Sequence, residues 1–118
     1  MLWDTKYIIA TAIIAFLLGF VACNRSQEAQ AKGTQARELV EKQGAQLVDV
    51  RSPAEFSSGH ISGAKNIPLP ELDARSGELS KDKPVVLYCR SGRRSATGAK
   101  QLEARGYKVY DLGAKSNW

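Results

Sequence analysis

Apolar and polar positions divide the chain into an apolar start, a polar connecting segment and a mixed remainder. No charged residue occurs from Tyr7 to Cys23, and an apolar helix of this length is at the lower limit of what crosses a bilayer. Residues 24–35 carry no large apolar side chain and cannot bury enough surface to offset the entropy lost on ordering. We therefore predict a hydrophobic helix within residues 1–23, an unordered polar tether at residues 24–35 and a folded domain at residues 36–118.

Three explanations of residues 1–23 remain open: a signal anchor that stays in the membrane, a cleaved secretory signal, and a lipoprotein signal. The run Phe20-Val21-Ala22-Cys23 resembles a lipobox, after which Cys23 would carry the lipid. The basic residues that follow the segment favour a cytoplasmic domain. A Lys-bearing start followed by an apolar run and a small-residue site is, however, the arrangement of an export signal. We expect a membrane-tethered domain on the periplasmic side, with the cytoplasmic face of the inner membrane as the alternative.

After the tether, short β-branched runs alternate with helical patterns. The predicted strands are Gln46–Val50, Ala64–Ile67, Pro84–Tyr88 and Lys108–Leu112. The predicted helices are Thr34–Gln43, a short one from Pro53 that ends by Ser58, a turn at Glu71–Ala74, and one between the loop after Cys89 and Gly106. In the last helix, Ala96, Ala99 and Leu102 are expected to share the buried face. The alternation predicts an α/β fold with a mainly parallel central sheet flanked by helices, preceded by the N-terminal hydrophobic helix.

Cys89 directly follows the most apolar predicted strand, and parallel sheets bind ligands outside the carboxyl ends of their strands. A thiol is a nucleophile as the thiolate, and its pKa falls at a helix N-terminus or beside fixed positive charge. The residues after it supply loop amides, a glycine for unusual backbone angles, and guanidinium forks: Arg90, Ser91, Gly92, Arg93, Arg94 and Ser95. These residue types predict a cradle for an oxyanion, with a sulfur nucleophile at its base.

The charge balance is consistent with such a cradle. Seventeen Lys and Arg against twelve Asp and Glu give +5, all of which belongs to residues 24–118. Without the three loop arginines this part of the chain would carry +2, so an anion site explains most of the excess and we expect no nucleic-acid partner. Two cysteines are too few for a disulfide framework, and 43% hydrophobic residues exclude a disordered chain.

Several short motifs occur in order along the domain: Asp49-Val50-Arg51, Glu55-Phe56, Gly59-His60-Ile61 with Gly63-Ala64, Asn66-Ile67-Pro68, and the loop from Cys89 to Ser95. Together they resemble the single-domain rhodaneses, thiosulfate sulfurtransferases of bacterial type, over about residues 36–118. The resemblance implies a rhodanese-like fold and a cysteine that takes the outer sulfur of thiosulfate and releases sulfite. The resulting persulfide would pass its sulfur to cyanide or another thiol acceptor.

Transferred by position, the resemblance assigns the sulfur carrier to Cys89 and stabilisation of its thiolate and persulfide to the amides of residues 90–94. The loop arginines would bind the donor anion. Independently of the resemblance, we expect Arg51 to pair with Asp49 or to brace the active-site loop, with a position facing the substrate as the alternative. No cofactor and no metal are implied. Because the domain has no second cysteine, we expect the sulfur to leave to a small molecule or to a sulfur-accepting protein. Three residues are expected to support the site, by pairing, bracing the loop or bonding backbone groups, rather than to react: Asp49, Glu55 and His60.

Two alternatives to a sulfurtransferase stay open. Phosphatases of the related cell-cycle type and arsenate reductases need Cys, five residues, then Arg. Ser95 stands where that Arg would be, and Tyr88 stands where a phosphatase has His. The tighter loop favours sulfur over phosphate. The second alternative is a catalytically idle rhodanese-like module that binds an anion or a partner, in which Cys89 would be a small buried hydrophobe.

Overall fold

A four-stranded sheet in which all neighbouring strands are parallel forms the centre of the domain. The computed structural model describes residues 5–118, apart from the side chains at positions 5–12, 15, 17 and 18. Its strands are β1 (Gln46–Asp49), β2 (Lys65–Asn66), β3 (Val85–Cys89) and β4 (Val109–Ala114), in the spatial order β2-β1-β3-β4. Its helices are α1 (Thr5–Gln43), α2 (Pro53–Ser57), α3 (Leu69–Arg75) and α4 (Arg93–Ala104), with 3₁₀ turns at Ser76–Glu78 and Lys115–Asn117. The predicted α/β fold with a parallel sheet flanked by helices is confirmed.

Strand β3 lies between two hydrophobic cores and is buried along its whole length. Val85, Leu87 and Cys89 enter the core that also contains side chains of α3 and α4. Val86 and Tyr88 point into the core on the other face, which contains residues of α1 and the C-terminal segment. Successive side chains of a strand point to opposite faces, so a strand covered on both sides must be apolar throughout.

Helix α1 continues through the segment that the sequence predicts to be an unordered tether. Residues 24–35 are helical, so that prediction is wrong. The segment is rich in Ala, Gln, Glu and Lys, which have high helix propensity. Extending an existing helix also requires no new nucleation. Contact with the domain begins before residue 36, because Gly33 is buried and a Cβ atom there would collide with the carbonyl oxygen of Asn117.

Residues 1–4 of the predicted signal or anchor lie outside the described residues, and the backbone from Thr5 to Cys23 is the first part of α1. Within residues 5–118, none of the helices that the structure describes combines the length and the apolar character required to cross a bilayer. Five large apolar side chains of this part of α1 are exposed: Ile13, Ile14, Phe16, Phe20 and Val21.

Helix α4 buries a face that differs by one position from the predicted one. Its buried residues are Ser95, Gly98, Ala99 and Leu102, whereas Ala96 is exposed. These four positions have the i, i+3, i+4, i+7 spacing of a single helix face. The first residue of this buried face, Ser95, is polar. Its burial is tolerated because its hydroxyl makes hydrogen bonds with Cys89 and Gly92, which precede the helix.

Candidate active site

The carboxyl edge of the sheet places the ends of three strands around Cys89. Cys89 is the last residue of β3 and pairs with Ala114 at the end of β4. On the other side, Tyr88 pairs with Asp49 at the end of β1. Cys89 therefore lies at the edge where parallel sheets bind their ligands.

The Cys89 side chain is fully buried beneath the loop that follows it. Its Sγ accepts hydrogen bonds from the backbone amides of Gly92 (2.9 Å) and Ser95 (3.4 Å), and it lies 3.5 Å from the Ser95 hydroxyl oxygen. Burial raises the pKa of the Cys89 thiol, but the hydrogen bonds from Ser95, Gly92 and Ser91 outweigh it, so the pKa is lowered from its ordinary value. The loop thus favours the thiolate, which is the nucleophilic form.

Gly92 gives the loop its curvature. Its φ of 94° and ψ of −11° lie in a region that side-chain-bearing residues rarely adopt, and this conformation turns its amide towards the sulfur. Helix α4 begins at the next residue, so the positive end of a twelve-residue helix adjoins the thiol. Both features match the anion cradle predicted from the residue types.

Arg94 is bound by a carboxylate instead of lying open to the donor. Its Nη1 and Nη2 donate to the two carboxylate oxygens of Glu55 at 2.7 and 2.9 Å. Glu55 also completes a capping box at the start of α2 with Ser52. The Arg94 hydrogen bonds, opposed by burial and helped by Ser52, lower the pKa of Glu55 to about 2. The two charges cancel at neutral pH, and the ion pair links the loop to α2. Donor binding by Arg94 stays a prediction.

The Asp49–Arg51 pair is buried next to the loop. Arg51 donates from Nη2 to Asp49 Oδ2 at 2.7 Å and from Nε to both carboxylate oxygens at 3.0 Å. The Arg51 amide donates to the same carboxylate, and Nη2 also donates to the Gly59 carbonyl at 2.7 Å. Asn66 ties the two residues together by donating to both of their carbonyl oxygens. Arg51 and Asp49 thus pair with each other at the carboxyl end of β1. A role in supporting the active-site loop stays a prediction.

His60 is exposed and bonded to the backbone. Its Nδ1 lies 2.9 Å from the carbonyl oxygen of Phe56, and its ring stacks on that of Phe56 with centroids 3.7 Å apart. The expected bond to a backbone group is therefore present, and a supporting rather than catalytic role for His60 stays a prediction.

Two open cavities adjoin the loop. The larger, of about 640 Å³, is lined by Arg51, His60, Ile61, Ser62, Arg90, Lys115, Ser116 and Trp118. The smaller, of about 290 Å³, is lined by Arg51, Glu55, Ser58, Gly59, Arg90 and Lys115. Arg93, predicted to bind the donor, is exposed at the start of α4 and lines neither of these two cavities.

Lys115 and Trp118 are site candidates that sequence reasoning missed. Lys115 follows β4 directly and lines both cavities together with Arg90. The available signal was its position just after the last strand, but that strand was predicted to end at Leu112 and extends to Ala114. Trp118 packs against the α1-side core and also lines the larger cavity.

Cys23, the predicted lipidation site, is exposed on α1. Its Sγ accepts a long contact of 3.8 Å from the Gln27 amide, one turn further along the helix. Both cysteines are free thiols.

Comparison of the sequence with models of known protein families identifies a family of domains. The Rhodanese-like domain model matches residues 32–118. The uncharacterized protein YqhL of Bacillus subtilis (strain 168) is 49% identical over 76 residues, which are 63% of this chain and 60% of that protein. The thiosulfate sulfurtransferase GlpE of Coxiella burnetii (strain RSA 331) is 34% identical over 91 residues, which are 75% of this chain and 85% of that protein.

Solved structures agree with this result. The human single-domain sulfurtransferase TSTD1 superposes with a TM-score of 0.63 at 28% identity, covering 72% of this chain and 89% of that one. A structure described as rhodanese with anions from E. coli superposes with a TM-score of 0.59 at 32% identity, covering 63% of this chain and 91% of that one. The chain belongs to the family of rhodanese-like domains.

Proposed function

We propose that the protein is a sulfurtransferase that moves a sulfane sulfur from thiosulfate or a similar donor to a thiophilic acceptor through a persulfide on Cys89. The observation that carries the proposal is the environment of the Cys89 sulfur, which accepts hydrogen bonds from the backbone amides of Gly92 and Ser95 and has a lowered pKa. Membership of a family whose relatives include named sulfurtransferases supports it.

The proposed reaction has two sulfur-transfer steps. The Cys89 thiolate attacks the outer sulfur of thiosulfate, a new S–S bond forms, and the bond to the sulfonate sulfur breaks to release sulfite. The enzyme then holds Cys89 as a persulfide anion. An acceptor such as cyanide attacks the outer sulfur, which leaves as thiocyanate, and the Cys89 thiolate is regenerated. The amides and the adjoining helix end that favour the thiolate also suit the negative charge of the persulfide.

The length of the loop supports sulfur rather than phosphate as the transferred group. The position at which the phosphatase pattern requires Arg is Ser95, whose side chain is buried and bonded within the loop. The loop arginine nearest to that position, Arg94, is bound to Glu55. A phosphoryl group would therefore lack the guanidinium that the phosphatase pattern supplies.

Intact-mass measurement after incubation with thiosulfate tests the proposed function. We expect a gain of about 32 Da, the mass of one sulfur, because a persulfide is a stable covalent adduct of the thiolate. The gain should persist in Cys23→Ser, which removes the exposed thiol, and disappear in Cys89→Ser. If neither thiosulfate nor any other sulfane donor adds mass at Cys89, the idle anion-binding or partner-binding module is the better description.

We also propose that residues 1–23 attach the domain to a membrane on its periplasmic side. In support are the uncharged run from Tyr7 to Cys23 and the exposed apolar side chains of α1. We expect the full chain in the membrane fraction and activity of a C-terminal reporter that works only outside the cytoplasm. Palmitate labelling that Cys23→Ser abolishes would identify a lipoprotein. Recovery of the full chain entirely outside the membrane fraction would refute the attachment.

A further inference from the structure

Helix α1 leaves the domain on the side of the sheet where Cys89 lies. The C-terminal end of α1 packs at the amino edge of the sheet, where the Ala45 amide, just before β1, donates to the Leu39 carbonyl at 3.0 Å. Nearer the N-terminus of α1, Gly33 lies against the carbonyl oxygen of Asn117, in the turn that follows β4. From Leu39 back to Gly33 the helix thus passes from the amino edge to the carboxyl edge. The apolar start of the chain therefore extends beyond the edge that carries Cys89.

A helical spacer, residues 24–32, joins the apolar start to the domain. It contains no Gly or Pro, the residues at which helices most often kink or break. At a rise of 1.5 Å per residue, the ten steps from Cys23 to Gly33 span about 15 Å. A continuous helix of this length sets both the height of the domain above the apolar start and the direction in which the domain faces.

Several contacts fix the domain to α1 at the carboxyl edge. Ala36 is fully buried in the core on that face of the sheet, which Trp118 also joins. The Arg37 guanidinium lies 5.4 Å from the centre of the Trp118 ring, and the Tyr110 hydroxyl donates to the Lys32 carbonyl at 3.4 Å. These contacts involve both the helix and the end of β4, so the domain cannot swing about the end of α1 without breaking a core.

The spacer and the carboxyl edge both carry cations without a counter-charge. Among the described residues, five such cations take part in no ion pair: Arg25 and Lys32 on the spacer, and Arg90, Arg93 and Lys115 at the edge. Glu28 is the single carboxylate of the spacer. Basic residues close to a membrane are attracted to anionic lipid headgroups, so this charge distribution suits an anionic surface beyond the edge.

We propose that α1 is a rigid spacer that holds the carboxyl edge of the sheet, with the cleft beside Cys89, facing an anionic bilayer surface. The inference rests on the proposed attachment of residues 1–23 to a membrane. Headgroups occupy about 5–7 Å of the roughly 15 Å spacer, which leaves a layer of water about 10 Å deep. Partners would reach Cys89 through this layer, which is narrower than a folded domain of 100 residues with its radius of gyration of about 13 Å.

Fluorescence quenching from lipid headgroups tests the orientation. The full chain carrying Cys23→Ser and Cys89→Ser receives one cysteine for a fluorescent probe, by Ser116→Cys at the carboxyl edge or Lys108→Cys at the amino edge, both exposed positions. It is inserted into vesicles of phosphatidylcholine and phosphatidylglycerol that contain a lipid with a nitroxide on its headgroup. Because the two positions are separated by about 20 Å along β4, we expect quenching at position 116 to be at least about twice that at position 108.

Replacing residues 25–28 with Gly-Ser-Gly-Ser should reduce the difference between the two probe positions, because this sequence interrupts the helix. Replacement with four alanines makes the same change in charge but keeps the helix, and should retain the difference. An unchanged difference in the Gly-Ser chain would overturn the role of α1 as the spacer. Equal quenching at the two positions, in a chain that floats with the vesicles, would overturn the orientation while leaving the attachment and the sulfurtransferase proposal in place. A chain that does not float with the vesicles would refute the attachment itself.

Discussion

Replacing Asp49 with Asn should lower the free energy of unfolding by about 3–5 kcal/mol, the cost of breaking a buried ion pair from one side. Asp49 is fully buried and Arg51 is 7% exposed. The Asp49 carboxylate accepts hydrogen bonds from the Arg51 side chain and also from its amide. Asn keeps the shape of the side chain but has no negative charge. The guanidinium would remain largely buried with no counter-charge, opposite an amide group that itself donates, and would keep the Gly59 carbonyl as an acceptor.

An exposed Asp–Arg pair of the same chain provides the control. Asp73 and Arg105 lie 3.1 Å apart with both side chains about half exposed. Asp73→Asn should therefore change the free energy of unfolding by no more than about 1 kcal/mol. Urea unfolding of both variants at neutral pH measures the contrast. A loss below about 1 kcal/mol in Asp49→Asn would show that the buried pair contributes no more than the exposed one.

A double variant separates charge pairing from packing. If Asp49→Asn destabilises the protein by leaving the Arg51 charge unpaired, Arg51→Gln should lower the free energy of unfolding much less in the Asp49→Asn variant than in the parent protein. Arg51 also donates to the Gly59 carbonyl, so some loss specific to Arg51 is expected in both backgrounds. Strict additivity of the two substitutions would contradict the paired-charge explanation.

The elements that local sequence signals specify were predicted closely. A short helix was predicted from Pro53, where α2 begins, and both hydrogen bonds of a Ser52–Glu55 capping box are present there. The predicted helix end at Gln43 is the end of α1, and Gly44, with a φ of 64°, follows it. The predicted strand Pro84–Tyr88 is present as β3, Val85–Cys89. In each case the determining interactions are close in sequence, so the pattern alone is sufficient.

The features that sequence reasoning missed depend on distant parts of the chain. Glu55 and Arg94 are 39 positions apart, and nothing local in either motif indicates that they meet. As a result, the three loop arginines appeared equivalent, whereas the fold gives them three different environments. The position of Lys115 depends on the register between β3 and β4, which contains an irregularity after Leu87. Sequence thus named Cys89 and three of the residues that line the larger cavity, Arg51, His60 and Arg90, but missed Lys115 and Trp118.

Replacing Ser95 with Ala should raise the pKa of Cys89 and slow its reactions at and below neutral pH. The hydroxyl oxygen lies 3.5 Å from Sγ and 3.1 Å from the Gly92 carbonyl oxygen, to which it donates while Cys89 is a thiol. When Cys89 ionises, the same hydrogen can turn to Sγ and stabilise the thiolate. A hydrogen bond to a charged group contributes about 1.5–3 kcal/mol, and the length of this one places its share at the low end. The remaining thiolate is more nucleophilic as its pKa rises, so a loss of about threefold to tenfold in rate is expected.

The pH dependence of alkylation distinguishes this effect from simple damage to the loop. In the Cys23→Ser background, Cys89 is the single thiol, and its reaction with iodoacetamide follows the thiolate fraction. For Ser95→Ala the rate should rise to a plateau at higher pH than for the parent and reach at least the parental value there. Ser95→Thr, which keeps a hydroxyl, should stay closer to the parent. Thr97→Ala removes an exposed hydroxyl from the same helix and should leave the profile unchanged. If Ser95→Ala slows alkylation equally at every pH, the hydroxyl shapes the loop without tuning the thiol, because a raised pKa acts only where the thiol is incompletely ionised.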